Sequence, residues 1–463
     1  MNEPIYAKPY DFGQQLLVPI DINEILPERH LARFVADVTG SLDLSILLKP
    51  SEEQVGQRPY DPRMMFNLLF YSYCIGVRTS RKIEERLHLD LAFRYLAAGH
   101  FPDHVTIARF RDKHLDKLKN LFVQVLMTCK KLGLVKLGKV AIDGTKIQAN
   151  ASKRKTKDYK AIKKEYDELE NEVRKLFREA QQADQLEDER YGKNKRGDEL
   201  PNNLEIKKER LKELKRVKEQ MEKEAKFLAE EKAKKIKDRE DEEKRTGKKK
   251  RGRKPKPKSE IPDKKARHNF TDPDSRLMKD NGTKAFIQGF NCQNVVDTDS
   301  QIVLSCDVTQ DANDKHQAIP MLDKLVEILK LLDINPTEVI PEIKLLLDAG
   351  YFTEVDLKKL IDKGWDIYTT PDSSRSKSQA LQMKGRIPKD MSFSDRMRRK
   401  TKTKRGKEIY KKRKIVEAPF GQIKEARGIR RFLLRGLRKA KGEWTLINLT
   451  HNLLVMHRNG LEI

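Results

Sequence analysis

The chain has 463 residues, with 98 Lys and Arg against 71 Asp and Glu, a net charge of +27. Hydrophobic and charged residues each make up 37%, where an ordinary globular domain has roughly 45–50% and 25%. Either the surface faces a polyanion, or a charged low-complexity segment distorts the average. No apolar run approaches the ~20 residues of a membrane span, and Met1–Gly13 lacks the basic-then-apolar pattern of a signal peptide. Cys74, Cys129, Cys292 and Cys306 show no C-x-x-C spacing, which points to a reducing compartment, no zinc site, and each thiol buried as a small apolar group. A chain this long is expected to hold two or three domains.

Residues 1–135 read as an N-terminal helical domain with a helix-turn-helix candidate at 81–117. Arg81–Leu91 is amphipathic. Ala97–Asp103, with Gly99 and Pro102, suits a turn, and Asp103 is placed to cap a helix over His104–Lys117. That helix would show Arg109, Arg111, Lys113 and His114 beside Ile107, Phe110 and Leu115, as a recognition helix does in a major groove. A plain helical bundle with a solvated basic face is the alternative.

Residues 136–152 open a second domain. Lys139–Ile142 reads as a buried strand, and Asp143 and Gly144 follow it at once. Residues 153–266 then carry 40 basic and 28 acidic side chains, a net of +12. Leu204, Leu211, Leu214, Val217, Met221 and Leu228 recur at helical steps, and Leu169, Val173 and Leu176 form a shorter stripe. With Gly192, Gly197 and Pro201 between them, the two stripes predict a charged helical hairpin. Arg245–Pro262 loses the stripe and reads as disordered unless bound. Within it, Arg251-Gly-Arg253-Lys-Pro255 is similar to an AT-hook, which enters an A·T minor groove; the displaced proline leaves a solvated tail as the other reading.

Residues 267–463 return to mixed character and complete the second domain. Thr271–Arg276 suits a cap or turn. Ala285–Val296 and Gln301–Val308 predict strands joined at Asp297–Ser300, and a helix follows at about Lys315–Leu332. The apolar run Glu342–Leu347 predicts a strand ending in Asp348, with Ala349, Gly350 and Tyr351 behind it. A helix at Val355–Lys363, a strand at Asp366–Tyr368, a polar loop and a helical region complete the order. Trp365 and Trp444 suit core packing better than base stacking.

With the hairpin removed, the order is β-β-β-α-β-α-β-α. That is the order of an RNase H-like α/β fold, a mixed sheet flanked by helices. In it the first and fourth strands are central neighbours, which would set Asp143 beside Asp348. Adjacent carboxylates repel unless cations lie between them, and Mg²⁺ suits oxygen ligands.

A third acid is expected from the last helical region. At about 100° per residue, Tyr410, Arg413, Glu417 and Lys424 fall within about 60° of one another on one helix face. The acid can complete a metal site, while the cations hold phosphates. Pro419 should kink or restart that helix just after Glu417, which loosens the phase of Lys424. Lys400–Lys441 has 17 basic and 3 acidic residues, a net of +14, which suits contact with phosphates.

The motifs Ala141-Ile-Asp143-Gly-Thr-Lys146, Leu347-Asp348-Ala-Gly-Tyr351 and Tyr-x2-Arg-x3-Glu-x6-Lys from Tyr410 to Lys424 resemble those of DDE transposases of bacterial insertion sequences. Thr271–Arg276, Gly289–Gln293 and Ser80–Arg111 resemble that family too, so the likeness takes in most of 1–152 and 267–455. It implies a polynucleotidyl transferase in which Asp143, Asp348 and Glu417 bind two Mg²⁺ ions, with Mn²⁺ able to substitute. It implies that Tyr410, Arg413 and Lys424 grip the backbone of double-stranded DNA, at terminal inverted repeats and at the target. It also implies a paired protomer (a homodimer) acting in a bacterial cytoplasm, on the nucleoid when bound to DNA. A site-specific nuclease of the same fold and a domesticated, non-catalytic DNA-binding protein are the rival functions.

Overall fold

The computed structural model describes residues 21–45, 59–191, 202–247, 257–280, 282–371, 387–388 and 391–461. Met1–Gly13, residues 192–201 of the expected loop Tyr191–Asn203 and the AT-hook-like Arg251–Pro255 lie outside the described residues, while Tyr191, Asn202 and Asn203 are helical. Among the described residues the strands are β1 (Lys139–Gln148), β2 (Thr156–Asp158), β3 (Arg267–Asn269), β4 (Arg276–Lys279), β5 (Phe286–Asp297), β6 (Val303–Thr309), β7 (Lys344–Leu347) and β8 (Asp366–Tyr368). Six of them form one sheet, in which β4 and β6 both pair with one edge of β5 and the order continues β5-β1-β7-β8. β1 runs antiparallel to β5 and parallel to β7, and β7 is parallel to β8. Three antiparallel strands, β1, β5 and β6, followed by the parallel β7 and β8 make the RNase H-like topology expected from the element order, and β4 is a further antiparallel strand.

The apolar runs explain the centre of the sheet. Val140, Ala141 and Ile142 of β1 and Leu345, Leu346 and Leu347 of β7 are all fully buried. Strands covered on both faces read as continuous apolar runs. β1 is longer than the sequence predicted: its pairing with β5 extends from Val140 to Gln148, so Asp143 lies inside the strand and not at its end. The parallel pairing with β7 stops at Ile142 opposite Leu347. The next residue on each strand is an aspartate. β2, β3 and β4 have three or four residues each, too few for an alternation to be visible, and the sequence reading missed them.

The N-terminal helices are α1 (Ile22–Ile25), α2 (Leu31–Ser41), α3 (Pro62–Cys74), α4 (Ser80–Leu89), α5 (Leu91–Ala97), α6 (His104–His114) and α7 (Leu118–Lys131). The single helix expected over Arg81–Leu91 breaks at Asp90, whose side chain accepts from Ala92 N at 2.9 Å and starts α5. Asp103 caps α6 as expected, accepting from Thr106 N at 2.6 Å. Ala98 and Gly99 make the turn between them at φ 46° and 78°.

The insertion forms α8 (Tyr159–Tyr191) and α9 (Asn202–Thr246). Tyr159, Ile162, Leu214, Val217 and Met221 build a small core of their own, with Leu169 packed on it. The stripe is shorter than expected, because Leu228 is exposed. β2 and β3 pair at the base, Thr156 with Asn269 through Asp158 with Arg267, so the chain leaves and re-enters the domain at one place. Residues 257–262 are described, and Ile261 and Pro262 border a groove with Met221 and Leu228 of α9.

The remaining helices are α10 (Ala318–Leu331), α11 (Pro336–Val339), α12 (Glu354–Asp362), α13 (Phe393–Lys402), α14 (Lys404–Lys411), α15 (Glu417–Gly421) and α16 (Leu437–Arg458). Helix α16 is buried nearly all round and joins the two halves. Trp444 is fully buried and donates to Asn294 Oδ1 on β5 at 3.0 Å. Its neighbours on α16 share one continuous core with α3, α7 and the sheet. The helices before residue 135 and the sheet therefore do not have separate cores. Trp365 is also buried, and all four cysteines are free thiols, three of them buried and Cys306 partly so.

Candidate active site

The site forms where β7 stops. Neighbouring parallel strands lie about 4.8 Å apart, so Asp143 and Asp348, each one step beyond the last paired residues, emerge side by side. Asp143 Oδ1 accepts from Gly144 N at 2.8 Å. Desolvation pushes the Asp143 carboxyl up to about 7; the Gly144 N–H and Arg413 oppose this, while Asp348 and Asp314 add to it. Burial is the main reason this carboxyl resists ionisation, and Arg413 does not offset it.

Glu417 comes to the same place through Arg413. The Arg413 guanidinium lies 3.7 Å from Asp348 Oδ1 and 3.7 Å from Glu417 Oε1. It is largely buried, whereas both acids keep about half their side-chain surface open. Tyr410 does not face outward with them. Its hydroxyl donates to the carbonyl of Leu347 at 3.2 Å, which ties the end of α14 to the residue before Asp348.

The sequence expectation of one regular helix from Tyr410 to Lys424 is corrected. The segment passes from α14 into a 3₁₀ stretch at Lys412–Val416, then α15, then a π turn at Gln422–Ala426. Pro419 lies in α15, where it removes a backbone donor. Each change of helix type shifts the angular step, so a wheel drawn at 100° per residue fails by Lys424. Lys424 is partly buried, and its ammonium is held below its ordinary range first by desolvation. The charges acting on it most are Asp280, Cys292, Arg430 and Glu425, and not the three acids.

The expected DNA contacts on α6 also divide. Arg109 and Lys113 are exposed and border a cleft with Arg63, Tyr95 and His100. Arg111 is turned inward and buried. It donates to the Arg78 carbonyl at 3.0 Å and to the Tyr73 hydroxyl at 3.3 Å, and Arg78 in turn pairs with the fully buried Glu443 of α16 at 3.1 Å. The helical spacing of Arg109, Arg111 and Lys113 already separates them, since residues two apart do not share a helix face. His114 is buried as well.

Much of the basic run at 400–441 is likewise used inside the molecule. Arg427 is buried and donates to Ile447 O at 3.1 Å and Thr450 Oγ1 at 2.8 Å. Lys400 pairs with Asp366, Arg438 with Asp116 at 3.0 Å, Lys439 with Asp112 at 2.6 Å and Lys441 with Asp307 at 3.1 Å. Lys411, Lys412 and Lys414, beside the acids, are exposed. The Thr271–Arg276 segment has the capping role: Asp272 Oδ2 accepts from Gly436 N at 3.2 Å and Asp274 Oδ2 from Leu437 N at 2.8 Å, at the start of α16.

Sequence reasoning missed Asp314 and gave no role to Lys146 and Gln293. Asp314 Oδ1 accepts from Asn291 and Gln293, both at 2.8 Å, and lies 3.9 Å from the buried Lys146 ammonium. Lys146 and Gln293 lie in the Ala141–Lys146 and Gly289–Gln293 motifs, but nothing in the spacing showed what those motifs would hold, and nothing marked Asp314. Among the described residues, no three His, Cys, Asp or Glu side chains are gathered closely enough to hold a metal ion between them. Arg413 stands between Asp348 and Glu417 instead.

Two family models match this chain: the transposase DDE domain over residues 255–453 and the transposase domain (DUF772) over residues 20–113. Together they span well over half of it, and the chain belongs to the DDE transposases of insertion sequences. No curated protein and no solved structure matches it. The DDE match includes Asp348 and Glu417 but begins after Asp143, which joins them through the pairing of β1 with β7. Such domains generally use divalent metal ions and act on DNA. Among the described residues no helix is long and apolar enough to cross a membrane.

Proposed function

We propose that this transposase cuts double-stranded DNA at the terminal inverted repeats of its element and joins the ends to target DNA, with Asp143, Asp348 and Glu417 as its catalytic acids. The observation that carries this reading is the arrangement of the three: Asp143 and Asp348 just beyond the last paired residues of neighbouring strands, and Arg413 between Asp348 and Glu417. The donor set would suit Mg²⁺, since its side-chain ligands would all be carboxylate oxygens, and a buried carboxyl such as Asp143 gains by having a cation beside it. Asp143, Asp348 and Glu417 would hold two such ions, with Mn²⁺ able to replace them. When bound, the ions supply Lewis-acid activation of a water or a 3′-hydroxyl and stabilise the leaving oxygen of an in-line displacement.

The chain's own residues supply the rest. Arg413 exchanges its two carboxylates for oxygens of the scissile phosphate, a planar donor suited to that anion. Tyr410 holds the segment against β7, so that Arg413 and Glu417 arrive in place. Lys411, Lys412 and Lys414 track the backbone, and Lys424 contacts it further along. Arg109 and Lys113 of the N-terminal helical region contact the terminal repeat, with Arg111 bracing their helix from behind. The active assembly is a homodimer, working in the cytoplasm and on the nucleoid once DNA is bound.

Strand transfer separates this reading from a simple nuclease. Incubated with Mg²⁺, a terminal-repeat duplex and a supercoiled target, the protein should give covalently joined products. Cleavage without any joined product would leave a site-specific nuclease of the same fold. Tight binding with no cleavage in Mg²⁺ or Mn²⁺ would leave a domesticated DNA-binding protein.

A further inference from the structure

Each of the two sheet aspartates has a glycine close behind it, and the backbone does not require it: neither Gly144 nor Gly350 has a positive φ. The space they leave belongs to a fourth carboxylate. A Cβ on Gly144 would lie 2.6 Å from Asp314 Oδ1 and would collide with Gln293 Nε2, while one on Gly350 would lie 3.7 Å from Asp314 Oδ2. Asp314, from the loop between β6 and α10, is thus seated between the residues behind Asp143 and Asp348.

The seat is built. Asn291 and Gln293, two residues apart on β5, share a face of the sheet and both donate to Oδ1 at 2.8 Å. The Gln293 amide is itself fixed, because the buried Tyr351 hydroxyl donates to its Oε1. Lys146 reaches the same oxygen from β1 at 3.9 Å. Asn291 is fully buried, and its own Oδ1 meets no hydrogen-bond partner, which leaves an orphaned hard-donor oxygen on the amide that holds Asp314. Asp314 is among the charges acting on Asp143 and on Tyr351.

We infer that Asp314 is a positioning residue of the catalytic centre, whose negative charge, held between Gly144 and Gly350, tightens divalent-cation binding by Asp143 and Asp348. Its Oδ1 is occupied by amide donors, so it acts through its field and through Oδ2 beside Gly350. Partners just outside a metal's ligands typically change affinity by roughly 10- to 100-fold when altered. The inference rests on the proposed role of Asp143 and Asp348 as metal ligands.

The test uses the full chain and Asp314→Asn, which keeps the shape and an oxygen for both amides but removes the charge. Mn²⁺ affinity, measured by calorimetry without DNA, should fall roughly 10-fold or more. The Mg²⁺ concentration for half-maximal cleavage should rise by a similar factor. Asn291→Ala, which removes one donor and no charge, should move both readings the same way by less. Unchanged Mn²⁺ affinity in a folded Asp314→Asn protein, with or without a lowered melting temperature, would overturn the inference and leave a structural role. Should that variant not fold, unchanged affinity in Asn291→Ala would overturn it equally. Normal cleavage by Asp143→Ala would instead remove the reading beneath, a separate outcome.

Discussion

Residues 153–266, the charged hairpin with its basic flanks, and the basic helical stretch Lys400–Lys441 contribute almost all of the net charge, +12 and +14 of the +27, yet the hairpin and the stretch at the sheet end use their charges in different ways. In the hairpin the charges find partners nearby: Lys164 with Glu168, Glu170 with Arg174, Arg210 with Glu213 on single helices, and Arg210 with Glu165 across the two. In Lys400–Lys441 several partners are distant in sequence, from Asp112 and Asp116 to Asp307 and Asp366, and several cations are buried or half-buried. At the sheet end itself Arg413 is shared between Asp348 and Glu417. Local matching leaves a solvated element with little consequence beyond its own helix pair. Unmatched charge on a rigid sheet is a site.

The largest test of that contrast is pH dependence. Asp143 has a folded pKa of about 7 against an ordinary 3.8. The folded chain therefore holds this proton more tightly than the unfolded chain. Stability from this group is present below about pH 4 and is lost as pH rises through 7. Without metal, Asp143→Asn should be more stable than the parent at pH 8, by up to about 4 kcal/mol, with the gap closing toward pH 4. Urea titrations at the two pH values measure it, and an equal gap at both would contradict it. Next, Arg427→Ala should cost about 3 kcal/mol of stability, because it strips donors from carbonyls in the core under α16. An unchanged denaturation midpoint would show that this cation is not structural.

A third test separates exposed cations from paired ones. Replacing Lys411, Lys412 and Lys414 with Gln should leave stability alone and reduce the slope of log binding constant against log salt by about 2–3. An unchanged slope would place the duplex elsewhere. The smallest effect belongs to the hairpin. Arg174→Gln removes an exposed pair with Glu170 at 3.2 Å and should cost only about 0.3–0.5 kcal/mol. A loss of several times that would make the hairpin's charges cooperative.

The same contrast explains what was legible in the sequence. The strands around Asp143 and Asp348 stood out because buried parallel pairing demands unbroken apolar runs, and the order of elements then set the two acids together. The hairpin stood out because helical periodicity survives in a charged background. Asp90 was misread because it both ends one helix and caps the next. The Tyr410–Lys424 segment was drawn as one helix, since nothing in composition marks a passage through 3₁₀ and π turns. Arg111 was placed outside because charge predicts exposure until a buried partner such as Glu443 is known. Asp314 was invisible because its importance depends on contacts with residues more than twenty positions away.

The central claim is that three acids from distant parts of the chain form one catalytic centre. Asp143→Ala, Asp348→Ala and Glu417→Ala proteins should bind a terminal-repeat duplex as the parent does. Each should lose Mg²⁺-dependent cleavage by at least about 10²–10³-fold, the scale of removing one electrostatic group from a preorganised site. Near-parental cleavage by any one of the three would take that acid out of the centre, and near-parental cleavage by Asp143→Ala would contradict the account as a whole.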